Sequence, residues 1–185
     1  MAKVKYGLSN VHYAKATLSG SSYVYATPVA WPGAVNLSLD AEGDVTKFRA
    51  DNIDYWIGQS NNGYSGDFES ALVPDSFLKD ILGFTADQND VLVEVADAAV
   101  THFALLFEFS GDEGATRHVL YNCTAGRPSV AGETTAETTE PTTETIALTV
   151  SSIPSSVIGG DVVKGKCDSA STAYSNWYTT VYLPT

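Results

Sequence analysis

Apolar residues return at every second position in many short stretches of this chain, and at helical spacing in only one. Val35, Leu37 and Leu39 alternate with Asn36, Ser38 and Asp40, the two-residue period of a strand with one buried face. Thr145 to Val150 repeats it, with Ile146, Leu148 and Val150 on one side. Tyr64 to Val73 predicts another half-buried strand, with Phe68 and Leu72 facing one way and Asp67 and Glu69 the other. Phe77, Leu78, Ile81 and Leu82 then fall at i, i+1, i+4 and i+5, which predicts a helix over about 74–82. Pro74 or Asp75 can open it, and Gly83 can close it in a left-handed conformation.

The remaining runs read as strands and turns. Lys3–Leu8 and Val11–Ala14 open the chain, Ser19–Ser22 turns it, and Tyr23–Tyr25 resumes. Ala41–Asp44 is expected to turn the Val35–Leu39 strand into Val45–Ala50 as a hairpin. Ile53–Ile57 follows, and Asn61-Asn62-Gly63 is a strong turn signal because Asn and Gly accept positive φ cheaply. Thr85–Asp90 reads as loop and Val91–Val95 as a short strand. Thr101–Phe109 and Arg117–Thr124 form the clearest hairpin, joined by Ser110–Ala115. Phe103, Leu105, Phe107 and Phe109 share one face while Ala104 and Leu106 keep the other apolar. Such a strand is central, or packs on a second layer or subunit. At the end, Trp177, Thr179, Val181 and Leu183 alternate with Tyr178 and Tyr182, which predicts a packed final strand. The fold expected is mainly β: a β-sandwich or barrel with one short flanking helix, in a single domain over 1–185.

One stretch has no apolar period. Gly132-Glu-Thr-Thr-Ala-Glu-Thr-Thr-Glu-Pro-Thr-Thr-Glu144 is acidic and low in complexity, so 132–145 is expected to be a mobile loop within the domain. Loops this long inside a domain tend to be functional or disordered.

Charge narrows the partners. The chain of 185 residues has 22 acids against 10 bases, a formal net charge of −12, which disfavours tight binding to nucleic acid or anionic membranes. No apolar run approaches the length of a membrane span, and Met1–Tyr6 has no signal-peptide apolar region, so synthesis in a cytoplasm is expected. Cys123 and Cys167 are expected to be free thiols, with Cys123 a small buried hydrophobe.

Reaction chemistry is sparse. His12, His102 and His118 are the three histidines. His102 and His118 can face each other across the hairpin, yet neither has a Cys, Asp or Glu at metal-ligand spacing. Asp40-Ala-Glu-Gly-Asp44 resembles a calcium loop only faintly, and Asp51 with Asp54 resembles a carboxylate pair only by proximity. There is no phosphate-binding glycine loop, no Cys-x-x-Cys and no Gly-x-Ser-x-Gly. No catalytic residue, metal site or cofactor is expected. Tyr55, Trp56, Tyr64, Trp177 and Tyr178 suit either packing and subunit contact or a sugar-binding face.

Four stretches carry a resemblance. They are Lys3–Ala14, Pro32–Asp40, Asn61–Glu69 with Pro74–Phe77, and Phe103–Phe109 with Arg117–Cys123. In this order they resemble the major tail protein, or tail tube protein, of bacteriophages with long non-contractile tails. The resemblance implies a structural virion protein rather than an enzyme. It implies stacked rings, usually hexameric, whose channel conducts DNA during ejection without gripping it. Its implied partners are other copies of itself, the tape measure protein, the tail terminator and the distal tail proteins. In such a tube the acidic segment is expected to order against a neighbouring copy. That makes Glu133, Thr134, Thr135, Glu137, Thr138, Thr139, Glu140, Thr142, Thr143 and Glu144 candidate interface residues. The alternative class is a carbohydrate-binding β-sandwich acting as a receptor-binding or accessory part of a virion.

Overall fold

The computed structural model describes residues 4–132, 134 and 141–185. β1 (Leu8–Ser19) turns at Gly20 into β2 (Ser22–Tyr25), and β3 (Val29–Ala30) returns to pair with His12 and Tyr13. β4 (Ala34–Glu42) is followed by a hairpin of β5 (Val45–Ala50) and β6 (Ile53–Gln59), then by β7 (Gly63–Ser70) and the helix α1 (Asp75–Asp80). β8 (Thr85–Ala86) and β9 (Leu92–Val93) form a minimal pair. β10 (Phe103–Phe109), β11 (Arg117–Ala125) and β12 (Glu144–Ser151) carry the centre of the sheet. β13 (Ile153–Ser155), β14 (Gly160–Val162) and β15 (Lys164–Cys167) complete the strands, before a 3-10 turn at Tyr174–Asn176.

Among the described residues, nine strands form one antiparallel sheet, in the order β2-β1-β10-β11-β12-β7-β4, with β3 added beside β1 and β15 beside β11. β11 has two partners along one edge: Arg117–Leu120 pairs with β15, and Asn122–Ala125 with β12. The sheet curls until β4 nears β1, but these two do not pair, so no barrel closes among the described residues.

Alternation along the strands builds two apolar layers. Tyr13, Phe68, Phe103, Leu105, Ile146, Leu148 and Val150 point into the curl, where α1 closes one end. Phe77 of α1 is fully buried there, meeting the rings of Tyr13 (5.1 Å), Trp31 (4.3 Å) and Phe103 (5.2 Å). Buried polar atoms are satisfied: Trp31 Nε1 donates to Ser70 Oγ (3.0 Å), whose hydroxyl donates to the Leu72 carbonyl (2.8 Å). On the outer face, Ala14, Ala104, Leu106, Val119 and Tyr121 are roofed by Ile153, Trp177 and Val181. β10 is therefore central and covered on both sides, as its double apolar pattern implies.

Several expected details differ. The helix is one turn and a half long; Pro74 caps it with extended backbone, and Gly83 (φ +72°) follows, where a Cβ would lie 2.7 Å from Ala98 Cβ. Leu72 lies beyond β7 and is exposed, because the strand ends at Ser70. Val35 also faces outward: a bulge between Ala34 and Asn36 removes it from the Leu37–Leu39 face. β4 does not pair with β5 but with β7, whose Phe68 shares its core face. Val4–Gly7 precedes the first strand rather than belonging to it. The final strand is absent. Trp177 and Val181 are buried four residues apart, a helical-turn spacing, and the Thr180 N–H bonds to the Asn176 carbonyl (3.1 Å).

Candidate functional site

Three strands present a polar wall on their outward face. The alternation that sends Leu37, Phe68 and Ile146 inward sends their neighbours out in register. Asn36, Glu69 and Thr145 make one row; Ser38, Asp67 and Ala147 the next; Asp40, Ser65 and Thr149 the third. No lysine or arginine stands in these rows, and among the described residues no buried cluster roofs them. Side-chain hydrogen bonds hold the rim: the Thr143 hydroxyl donates to Glu69, and Ser65 donates to Glu42. The other half of the same sheet is roofed by the C-terminal segment, so the two halves of one surface have opposite character.

The β5–β6 hairpin is the second exposed feature. Asp51 (φ 50°) and Asn52 (φ 62°) form its two-residue turn, both in the left-handed region that such hairpins need. Its base is closed by the Ser60 N–H to the Asp44 carbonyl (3.0 Å) and by the Asp44 N–H to Ser60 Oγ (2.9 Å). Val45, Phe48, Ile53, Tyr55, Trp56 and Ile57 are each between 56% and 69% exposed. Phe48 and Trp56 sit opposite one another on one face, with Lys47 and Ile57 on the other. Among the described residues, β5 and β6 pair only with each other, so both outer edges are open. A two-stranded ribbon is marginal alone in water, and this one exposes apolar side chains on both faces and leaves both edges unpaired among the described residues.

A polar clamp fixes the roofing segment. Arg117 Nε lies 2.9 Å from Glu108 Oε2, and its Nη1 donates to the Tyr174 carbonyl (2.6 Å). The guanidinium stacks 3.7 Å from the Tyr174 ring centroid and 4.8 Å from that of Tyr178. The Tyr178 hydroxyl donates to Glu108 (3.2 Å); burial, then the Glu108 charge, push its pKa up.

The sequence-predicted residues scatter. Of the candidate interface residues, Glu133, Thr135, Glu137, Thr138, Thr139 and Glu140 lie outside the described residues, as does any expectation of mobility there. Thr134 and Thr142 are exposed, Thr143 reaches Glu69, and Glu144 accepts the Val73 N–H (2.7 Å) beside α1. His102 and His118 do not meet: the first contacts Asn122 Oδ1 (2.7 Å), while the second stacks on Phe107 at the far end of the hairpin. Asp54 pairs with Lys47 and Arg49, and Asp51 sits in the turn. No group of three His, Cys, Asp or Glu side chains suited to a metal gathers among the described residues. Cys123 is fully buried, and burial raises its pKa. The five aromatics form no common platform. Trp177 is part of the outer roof, Tyr178 belongs to the Arg117 clamp, Tyr64 packs at the inner core, and Tyr55 and Trp56 ride on the hairpin.

Sequence reasoning missed the hairpin arm, the wall and the clamp. Asp51-Asn52 between two β-prone runs signals the first, and the in-step polar positions of three strands signal the second. Nothing in the linear order signals the third. No helix among the described residues is long and apolar enough to cross a membrane. The chain matches no protein-family model, and no curated protein matches it.

Proposed function

We propose that this protein is a structural virion subunit that assembles into stacked, hexameric rings forming a phage tail tube. The observation that carries this reading is the three-strand wall with Asp40, Asp67 and Glu69 and no base, uncovered among the described residues. A conduit for DNA must be wet, smooth and unable to hold phosphate. Ser, Thr, Asn and Ala make such a surface, and the carboxylates repel a polyanion while offering no cation for counterion release. Asp67 and Glu69 are two residues apart on one strand, about 7 Å. That is inside the Debye length of about 8 Å at physiological salt, so neighbouring charges act together on a passing phosphate.

The hairpin supports the same reading. An arm apolar on both faces and open at both edges is a liability in a monomer and an asset in a subunit that docks on its neighbour. Lateral closure and axial stacking then use unlike surfaces, the heterologous mode that makes rings and open-ended tubes. The tape measure protein would occupy the channel before DNA does, and terminator and distal tail proteins would bind the two ends. The test is kinetic: phages carrying D40N/D67N/E69Q should assemble tails but eject DNA more slowly. An unchanged ejection rate would contradict a channel role for the wall.

A further inference from the structure

Opposite the helix, the curled core has a second mouth. It lies where β7 begins and β10 ends, around a cavity of about 220 Å³ lined by Leu39, Tyr64, Phe109 and His118. Two ammonium groups stand over its aromatic rim: Lys164 Nζ is 4.6 Å from the Tyr64 ring centroid and Lys5 Nζ is 5.0 Å from that of Phe109. Lys166 lies next to them, opposite His118 in the β11–β15 register. Burial, and then Lys5, hold His118 below its ordinary pKa, so it adds an apolar ring rather than another charge at neutral pH. Three of the chain's 10 basic residues thus gather at one opening of a protein with 22 acids. Among the described residues, none of the three forms an ion pair. The carboxylate nearby, Asp112, is occupied by the N–H groups of Gly114 and Thr116.

The other end of the same strands has the complementary charge. β12 starts at Glu144 opposite Ser70, and β11 finishes at Ala125, so segment 132–144 leaves the sheet beside α1. That segment carries Glu133, Glu137, Glu140 and Glu144 and no base. Its base is pinned by the Ser129 N–H to the Thr145 carbonyl (3.0 Å). The apex is about seven residues from either anchor, at most about 25 Å at full extension. The run of β7 alone from Ser70 to Tyr64 takes about 20 Å of that. Reaching its own second mouth would demand near-complete stretching of both legs, which a contact with a second copy would not.

We infer that the Lys5–Lys164 mouth receives the acidic Thr/Glu segment of a second copy, joining subunits head to tail along the strand direction. The inference rests on the tail-tube reading and names the contact that stacking uses. Glu carboxylates would meet the ammonium groups, and Thr methyls with Pro141 would cover Tyr64, Phe109 and Leu39. Opposite charges at opposite ends make the joint polar and self-propagating.

Two experiments test it. A synthetic peptide spanning residues 132–145 should bind the purified wild-type protein in a salt-sensitive way, and K5E/K164E should bind it about tenfold more weakly, as reversal of two exposed ion pairs implies. Equal binding by both, or none by either, overturns the proposal. In sedimentation velocity, K5E/K164E and E137K/E140K should each fail to form long assemblies while keeping native circular dichroism. Mixed, they should co-assemble in strict alternation, because each variant's segment then meets an oppositely charged mouth on the other, and the fourfold variant should assemble again. Double variants that assemble like wild type, or a fourfold variant as defective as the doubles, would refute the contact and leave the tube reading standing. Peptide binding by a protein that never assembles would do the reverse.

Discussion

Phe77 shows how much rests on single side chains here. It is fully enclosed, and Tyr13, Trp31 and Phe103 contact it edge-on or tilted. F77A should destabilise the fold by about 3–5 kcal/mol in urea unfolding, because these rings cannot collapse into the space left behind. Arg117 is the second such residue. R117K keeps the charge but loses the fork and the stacking on Tyr174 and Tyr178, so a loss of about 1–3 kcal/mol is expected in the same measurement. His118 sets a pH dependence. Its folded pKa lies below the unfolded value, mainly through burial, so the unfolded chain takes up its proton first. Stability is intact above about pH 6.5 and falls as acid carries the group through its folded pKa. H118Q should flatten the stability curve as pH falls below about 6.5; an unchanged slope would show that another group is responsible. Asp87 and Asp112 act at lower pH. Hydrogen bonds, backbone ones first for Asp87 and those to Thr116 first for Asp112, hold both carboxyls below the usual range, and that support is lost as they protonate.

Elements divide by how local their determinants are. The β10–β11 hairpin follows from its own residues, since Phe103, Leu105 and Phe107 bury one side whatever pairs with it. The helix α1 and the Leu37–Leu39 and Ile146–Val150 alternations are likewise readable in the chain. Pairing between distant elements is not. β4 and β5 are adjacent in sequence and both β-prone, yet Leu37 and Leu39 find their layer beside Phe68, leaving β5 to β6. The last residues fit a two-residue period on paper. Only the outer layer over Ala104 and Val119, and the Arg117 clamp, make the turn placing Trp177 and Val181 together the better solution. The wall was present as three polar half-patterns, but their register is a tertiary fact. The hairpin's detachment yields its own test. Replacing Val45–Gln59 with a short Gly-Ser bridge between Asp44 and Ser60 should leave the melting temperature of the body within a few degrees and abolish assembly. Loss of folding would mean that the arm is structural.

At the level of the whole molecule, one sheet does three jobs with different parts of its surface. Its inner face holds the core, half of its outer face carries a roof, and the other half is acidic and bare among the described residues. A polar sheet face in water is ordinary for a monomer, but an exposed hairpin apolar on both faces is not. On the proposed reading, the hairpin is what a repeating subunit would dock with. Excising Thr134–Thr142 should therefore leave a folded protein that does not extend into tubes; wild-type tubes from this deletion would remove the acidic segment from the assembly contacts. The most direct measurement is electron microscopy of the purified wild-type protein over rising concentration at near-physiological salt. Rings and hollow tubes are predicted, and particles that remain single subunits at every concentration would contradict the account.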